Sequence, residues 1–145
     1  MITNFISQMK IFIDRKTGRQ FIYFCIIGGI NTALDFGVYI LLTRSSSFFK
    51  EYFFIANIIS FSIAVTNSYI LNRRYTFKSN NGNIRSEYTK FIIVNIFGVI
   101  FNTLILVFMV DTFGIHDLIA KAIAVGVVLF WNFYMNRRWT FKNNQ

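Results

Sequence analysis

Four long apolar stretches, at about residues 21–43, 52–72, 88–110 and 118–136, alternate with short polar or basic intervals along the whole chain. About 20 residues of helix, at ~1.5 Å rise each, cross a hydrocarbon core of ~30 Å. The pattern therefore predicts an all-α integral membrane protein with four transmembrane helices, read as a single membrane domain over residues 1–145. No proline occurs, so nothing in the composition forces a kink. Ahead of the first span, Ile2, Phe5, Ile6, Met9, Phe12 and Ile13 recur at three- and four-residue spacing, with Lys10, Asp14, Arg15, Lys16 and Arg19 around or after them. This predicts a short N-terminal interfacial helix within residues 1–20. A cleaved signal peptide is not expected, because the following apolar run is too long for its hydrophobic region and shows no small-x-small cleavage site.

Within the spans the polar residues fall on helical strips. Gly28, Asn31, Thr32, Asp35 and Tyr39 lie on one side of the first span, while Gly29, Ala33 and Gly37 form an adjacent small strip. Small residues let helix backbones approach closely in lipid, where water gives no drive for association. Asp35 is different in kind: an ionised carboxylate near a helix centre costs ~2.5 to 3.5 kcal/mol on insertion scales, so it marks a candidate pathway or site. The second span repeats the small strip with Ala56, Ser60, Ala64 and Ser68, and adds Asn57, Ser62, Thr66 and Asn67, whose groups suit interhelical hydrogen bonds. The fourth holds Ala120, Ala122, Ala124 and Gly126 before Trp131 and Asn132.

The second and fourth spans end alike. Asn72-Arg73-Arg74-Tyr75-Thr76-Phe77-Lys78 returns about half a chain length later as Asn136-Arg137-Arg138-Trp139-Thr140-Phe141-Lys142, differing only at the aromatic position. The chain is thus a duplication of a two-span unit. Gly98 and Asn102-Thr103 in the third span match Gly28 and Asn31-Thr32 in the first. On that register no acid answers Asp35, whose place falls at Leu104, Ile105 and Leu106.

Composition agrees with the spans: 54% of residues are hydrophobic, 19% aromatic and only 14% charged, with a mean hydropathy of +0.49. The net charge of +9 does not point to nucleic acid, because the basic residues punctuate apolar runs instead of covering a soluble face. Their distribution orients the spans. Of 15 lysines and arginines, all but Arg44, Lys50 and Lys121 fall before the first span, between the second and third or, as Lys90, at the opening of the third, or after the fourth. Both termini and both Asn-Arg-Arg elements are expected on the cytoplasmic side. Two spans per repeat give the halves one orientation, as parallel repeats related by an axis along the membrane normal. Cys25 stands alone within an apolar run, and the single histidine, His116, lies in a short loop. No metal site, cofactor or catalytic constellation is expected from them.

The arginine pairs carry the candidate chemistry. A guanidinium is a planar, permanently charged donor fork that suits phosphate oxygens, and a neighbouring asparagine can bond a hydroxyl or a helix-end carbonyl. Topology alone would accept any basic residues, whereas two copies hold Asn, Arg, Arg, Thr, Phe and Lys in register.

With Phe21, Gly28, Asn31-Thr32 and Asp35 in order in the first span, and two Asn-Arg-Arg-aromatic-Thr-Phe endings, the sequence resembles the GtrA-like family of small four-helix bacterial membrane proteins. The resemblance covers about Arg19 to Phe141. It implies translocation of a polyprenyl-phosphate-linked sugar across the bacterial cytoplasmic membrane, for glycosylation of a surface polysaccharide or wall polymer. It also implies Asp35 and the elements Asn72, Arg73, Arg74 and Asn136, Arg137, Arg138 as substrate-binding positions. The residues read by themselves agree: a basic rim suits phosphate, Asn31, Thr32 and Asp35 suit sugar hydroxyls, and an apolar exterior leaves a prenyl tail in membrane lipid. Four spans enclose a sugar poorly, so a laterally open groove or a homo-oligomer is expected. A glycosyltransferase or phosphatase lacks a second acid, histidine or cysteine to work with Asp35. Two further readings compete, a non-transporting accessory subunit of a membrane glycosyltransferase and a small proton-coupled exporter.

Overall fold

The computed structural model describes residues 15–80 and 82–142. Residues 1–14, most of the expected interfacial helix, lie outside this range. The described residues are helical and contain no strand. Four helices are long and apolar enough to cross a membrane: Arg15–Ser45 with 31 residues, Phe53–Thr76 with 24, Ile84–Phe113 with 30 and Ile119–Thr140 with 22. The protein is a multi-pass membrane protein.

By contacts the chain divides into two compact units, Met1–Lys78 and Ser79–Gln145. In unit 1, helix α1 (Arg15–Ser45) leads through a helical turn, α2 (Ser47–Glu51), into α3 (Phe53–Leu71), which ends in a π-helical turn at Asn72–Thr76. In unit 2, α4 (Ile84–Phe113) and α5 (Asp117–Met135) repeat the plan, closing in a π turn at Asn136–Thr140. Each unit is an antiparallel helical hairpin.

Helix ends depart from the hydropathy pattern for local reasons. The first helix already includes residues 15–20, ahead of the expected start near Phe21, so these residues of the expected interfacial segment are continuous with the span; Thr17 and Gln20 face inward and are buried. The third starts at Ile84 instead of about Tyr88, because Asn83 caps it: its Oδ1 accepts from the Ser86 amide at 3.1 Å. It continues to Phe113, where Gly114 takes a left-handed conformation (φ 62°) and its amide bonds the Val110 carbonyl at 3.0 Å. The exposed His116 and Asp117 pair at 2.9 Å in the turn that follows. Hydropathy sees none of these polar caps.

The hairpins turn large apolar side chains outward and bury polar ones among their apolar contacts. Ile22, Ile26, Phe36, Ile58, Leu104 and Phe130 are among the large apolar side chains left exposed. The buried set includes Asn31, Ser60, Asn72, Thr76, Glu87, Asn136 and Thr140. In lipid an outward apolar chain costs nothing, whereas a polar group gains only by finding a partner inside. Ala56, Ala120 and Ala124 are fully buried at the helix–helix contacts, where the lack of a longer side chain lets the backbones close.

Both units use one packing register. The Phe24 and Phe77 rings meet edge-on at 6.3 Å and 64°, and Phe91 and Phe141 meet at 6.3 Å and 60°. Phe91 therefore stands where Phe24 stands, with buried Val94 answering buried Ile27. On this register Gly98 takes the place of Asn31, and Asn102 that of Asp35. The match of Gly98 with Gly28 expected from the sequence is corrected: ring packing, not residue identity, sets the alignment. Asp35 has a neutral counterpart, an amide.

Candidate functional site

The duplicated motif builds the same turn twice. In the first, the Asn72 Nδ2 donates to the Ser68 carbonyl at 3.0 Å, and its Oδ1 accepts from the Thr76 hydroxyl at 2.8 Å. In the second, Asn136 Nδ2 donates to the Asn132 carbonyl at 2.8 Å and Oδ1 accepts from Thr140 at 2.9 Å. The Phe77 and Phe141 amides each reach back five residues, to the Asn72 and Asn136 carbonyls, at 2.9 Å. Five-residue bonding widens the helix and takes carbonyls out of the four-residue ladder, and the asparagine amide supplies a donor in its stead. Both asparagines are buried, at 1% and 0% exposure. Their hydrogen bonds are local to the turn.

The turn leaves the arginines at its outer side. Arg73 and Arg137 are half-buried, Arg74 and Arg138 exposed. The Arg74 guanidinium lies 5.5 Å from the Tyr75 ring centre, Arg138 lies 5.7 Å from that of Tyr134, and the Lys90 ammonium lies 6.0 Å from the Trp139 ring. Cations over aromatic faces keep their charge and remaining donors while their apolar parts are covered. Each hairpin thus has a basic, aromatic-flanked end.

Deeper in unit 1 stand two polar rungs between α1 and α3. Asn67 Nδ2 donates to Asn31 Oδ1 at 2.8 Å, while Asn31 Nδ2 bonds the Ile27 carbonyl at 2.7 Å. About one turn further, the Ser60 hydroxyl donates to Asp35 Oδ1 at 2.5 Å and lies 3.1 Å from the Asn57 carbonyl. Asp35 is half-buried, and its carboxylate has further lone pairs to offer. Thr32 is exposed and its hydroxyl bonds the Gly28 carbonyl at 3.0 Å. The structure brings Asn31 and Asp35 onto one face with Asn67 and Ser60, and sets Thr32 apart from them. Among the described residues no three histidine, cysteine or acidic side chains gather as metal ligands would.

One residue that sequence reasoning passed over is Glu87, 1% exposed, which accepts from the Ser79 hydroxyl at 2.5 Å. It sits four residues before Phe91 as Gln20 sits four before Phe24. That polar-x-x-x-Phe spacing was the available signal.

Known sequences place the chain. A family model described as "GtrA/DPMS, transmembrane domain" matches residues 23–141. A protein of Bacillus subtilis (strain 168), "Uncharacterized membrane protein YngA", is 32% identical over 120 residues, covering 81% of this chain and 76% of that one. The match takes in both hairpins, both π turns and the rungs of α1 and α3, and on it the chain belongs to the GtrA/DPMS transmembrane-domain family.

Proposed function

We propose that the protein translocates a polyprenyl-phosphate-linked sugar across the bacterial cytoplasmic membrane, supplying glycosylation of a surface polysaccharide or wall polymer such as teichoic acid or O-antigen. The observation that carries this reading is the order of groups along unit 1. The basic end at Arg73 and Arg74 is followed, about 10 Å and 16 Å along α1 from Phe24, by the Asn31–Asn67 and Asp35–Ser60 rungs. Arg73, Arg74, Arg137 and Arg138 would take phosphate oxygens. Asn31, Thr32 and Asp35 would exchange hydrogen bonds with sugar hydroxyls. Asn72 and Asn136 act one step removed, by holding the turns that present the arginines. The prenyl tail stays in lipid against the outward apolar side chains. Membership of the family supports a sugar-lipid role in general, and the identity of sugar and polymer is part of the proposal.

One observation favours a second reading. The rungs of unit 1 satisfy themselves internally, as packing contacts do, which also fits an accessory subunit that positions a membrane glycosyltransferase. Purified protein in liposomes separates the two. A translocase moves a labelled polyprenyl-phosphate hexose from the outer to the inner leaflet, and an accessory subunit leaves it where it started.

The same assay tests the roles. Arg→Lys at positions 73, 74, 137 and 138 keeps charge but loses the planar fork, so transport should fall about tenfold or more while insertion is unchanged. Asp35→Leu should insert readily and abolish transport. It leaves the Ser60 hydroxyl with the Asn57 carbonyl as acceptor, so lost activity cannot be ascribed to an orphaned group. Wild-type transport by the leucine variant at equal expression removes the acid from the pathway.

A further inference from the structure

The two hairpins differ in how their polar rungs are satisfied. Where unit 1 pairs Asn31 with Asn67, unit 2 has Gly98 against the Asn132 amide. Where unit 1 pairs Asp35 with Ser60, the same register in unit 2 puts Asn102 and Ala124 at the corresponding positions, and alanine has no polar side-chain atom. The result is that Asn102 Oδ1, Trp131 Nε1 and Asn132 Oδ1 are all buried without a hydrogen-bond partner. Gly98 and Asn102 are one turn apart on α4, Trp131 and Asn132 are neighbours on α5, and the two stretches meet through Gly98 with Asn132 and Phe101 with Trp131. A Cβ placed on Gly98 would come within 2.6 Å of Asn132 Oδ1 and 2.9 Å of its Nδ2, so the asparagine amide occupies the space that the glycine leaves. The Trp131 ring meets Phe101 edge-on at 5.0 Å, which forms an apolar wall beside the polar atoms.

A hairpin in lipid does not retain such groups for stability, since each orphan forfeits its hydration with no return. All three residues are only half-buried, so the polar atoms are turned inward while the side chains keep an accessible edge. We infer that Gly98, Asn102, Trp131 and Asn132 form a second headgroup subsite, specific for a neutral hydroxyl-bearing group. An amide presents both a donor and an acceptor whichever way it turns, and an indole N–H donates, so together they match hydroxyls, which do both. None of the three is charged, so the subsite has no preference for phosphate. The Phe101–Trp131 wall suits the apolar face of a sugar ring. This rests on the reading that the substrate is a lipid-linked sugar, and it adds to the groups of unit 1, where Asn31 and Asp35 already hold a protein partner, a set in unit 2 whose hydrogen-bonding capacity is unused.

Trp131 reports on its own site. The chain has two tryptophans, and Trp139→Tyr, which writes the first copy of the motif into the second, leaves Trp131 as the sole indole. In detergent, emission excited at the red edge is followed while the protein is titrated with a polyprenyl-phosphate hexose or with the same polyprenyl phosphate lacking sugar. A response to the glycosylated lipid with little or none to the bare phosphate is expected. Asn102→Leu should weaken it about tenfold, the worth of one hydrogen bond, and Gly98→Ala should weaken it at least as much by displacing the Asn132 amide. Circular dichroism and the melting temperature show whether each variant is folded, and Asn102→Leu, which adds no clash at the helix contact, serves where Gly98→Ala is not. Equal responses to both lipids, no response to either, as for a site that holds water only, or folded variants that respond like the parent would overturn the subsite. The transport assay distinguishes its failure from that of the broader reading. Transport with Trp131 silent discards the subsite alone, and a sugar-dependent response without transport keeps the subsite and discards translocation.

Discussion

Asn72 and Asn136 each hold a π turn together by donating four residues back and accepting from a threonine four residues on. This explains why the motif returns with asparagine and threonine intact while the aromatic position changes from Tyr75 to Trp139: the first two are buried parts of the turn, and the aromatic is on its exposed side. It also separates two roles that the sequence presents as one. The arginines are the exposed or half-buried residues of the motif, and the asparagines hold the turn that carries them. Asn136→Ala should therefore lower stability by about 1–3 kcal/mol, because it leaves the buried Thr140 hydroxyl without its acceptor. Thr140→Val, which removes the donor at nearly constant shape, should cost less, and the pair Asn136→Ala with Thr140→Val less than the sum of the two. Thermal unfolding in detergent measures all three. Strict additivity would mean that the bond does not contribute to the turn.

At the scale of the element, hydropathy alone was enough to find four spans, because lipid rewards uninterrupted apolar length whatever the packing. Their ends were not legible in it: Asn83 and Gly114 act through hydrogen bonds and backbone conformation, and α1 takes in residues 15–20, polar in sequence, of which Thr17 and Gln20 are buried and Arg15, Lys16 and Arg19 exposed. Which polar residues meet was legible only in part. Asn31 and Asp35 stood out on a helical strip, yet their partners Asn67 and Ser60 could not be told from Asn57 and Ser62, which are exposed. The inter-repeat register failed for a related reason, since the pairing of Gly98 with Gly28 used residue identity where ring packing decides. Small residues show the same limit. Ala120 and Ala124 are sealed at the helix contact while Ala122 faces outward, although the sequence lists all three alike. Ala120→Leu should cost about 1–3 kcal/mol through overpacking, and Ala122→Leu should stay within about 0.5 kcal/mol of the parent. A comparable loss at both positions, read as the shift in detergent unfolding, would show that the α4–α5 contact is not the tight one described.

At the scale of the whole molecule, the charge pattern and the internal geometry of each hairpin make one claim about the membrane. In unit 1 the Phe24–Phe77 contact puts the start of α1, with Arg15, Lys16 and Arg19, at the same end as Arg73, Arg74 and Lys78. In unit 2 the Phe91–Phe141 contact and the Lys90–Trp139 approach put Arg85 and Lys90 at the same end as Arg137, Arg138 and Lys142. The opposite ends of the hairpins hold only Arg44, Lys50 and Lys121 as basic residues. Since basic loops are retained in the cytoplasm, both basic ends should face inward and the turns at residues 46 and 114 outward. If so, a phosphate that enters from the cytoplasmic leaflet meets the arginines first and the polar rungs afterwards, which is the order that a translocase requires. With Cys25→Ser as background, single cysteines replacing Gly82 and Lys142 should be protected from an impermeant thiol reagent in intact cells and react after permeabilisation, while a cysteine replacing Ser46 should react at once. Labelling at Gly82 from outside would invert the hairpins. The arginines would then lie at the outer leaflet, where they could receive a phosphate released there but could not select one arriving from the cytoplasm, and entry of the substrate past the arginines from the cytoplasmic leaflet would have to be abandoned.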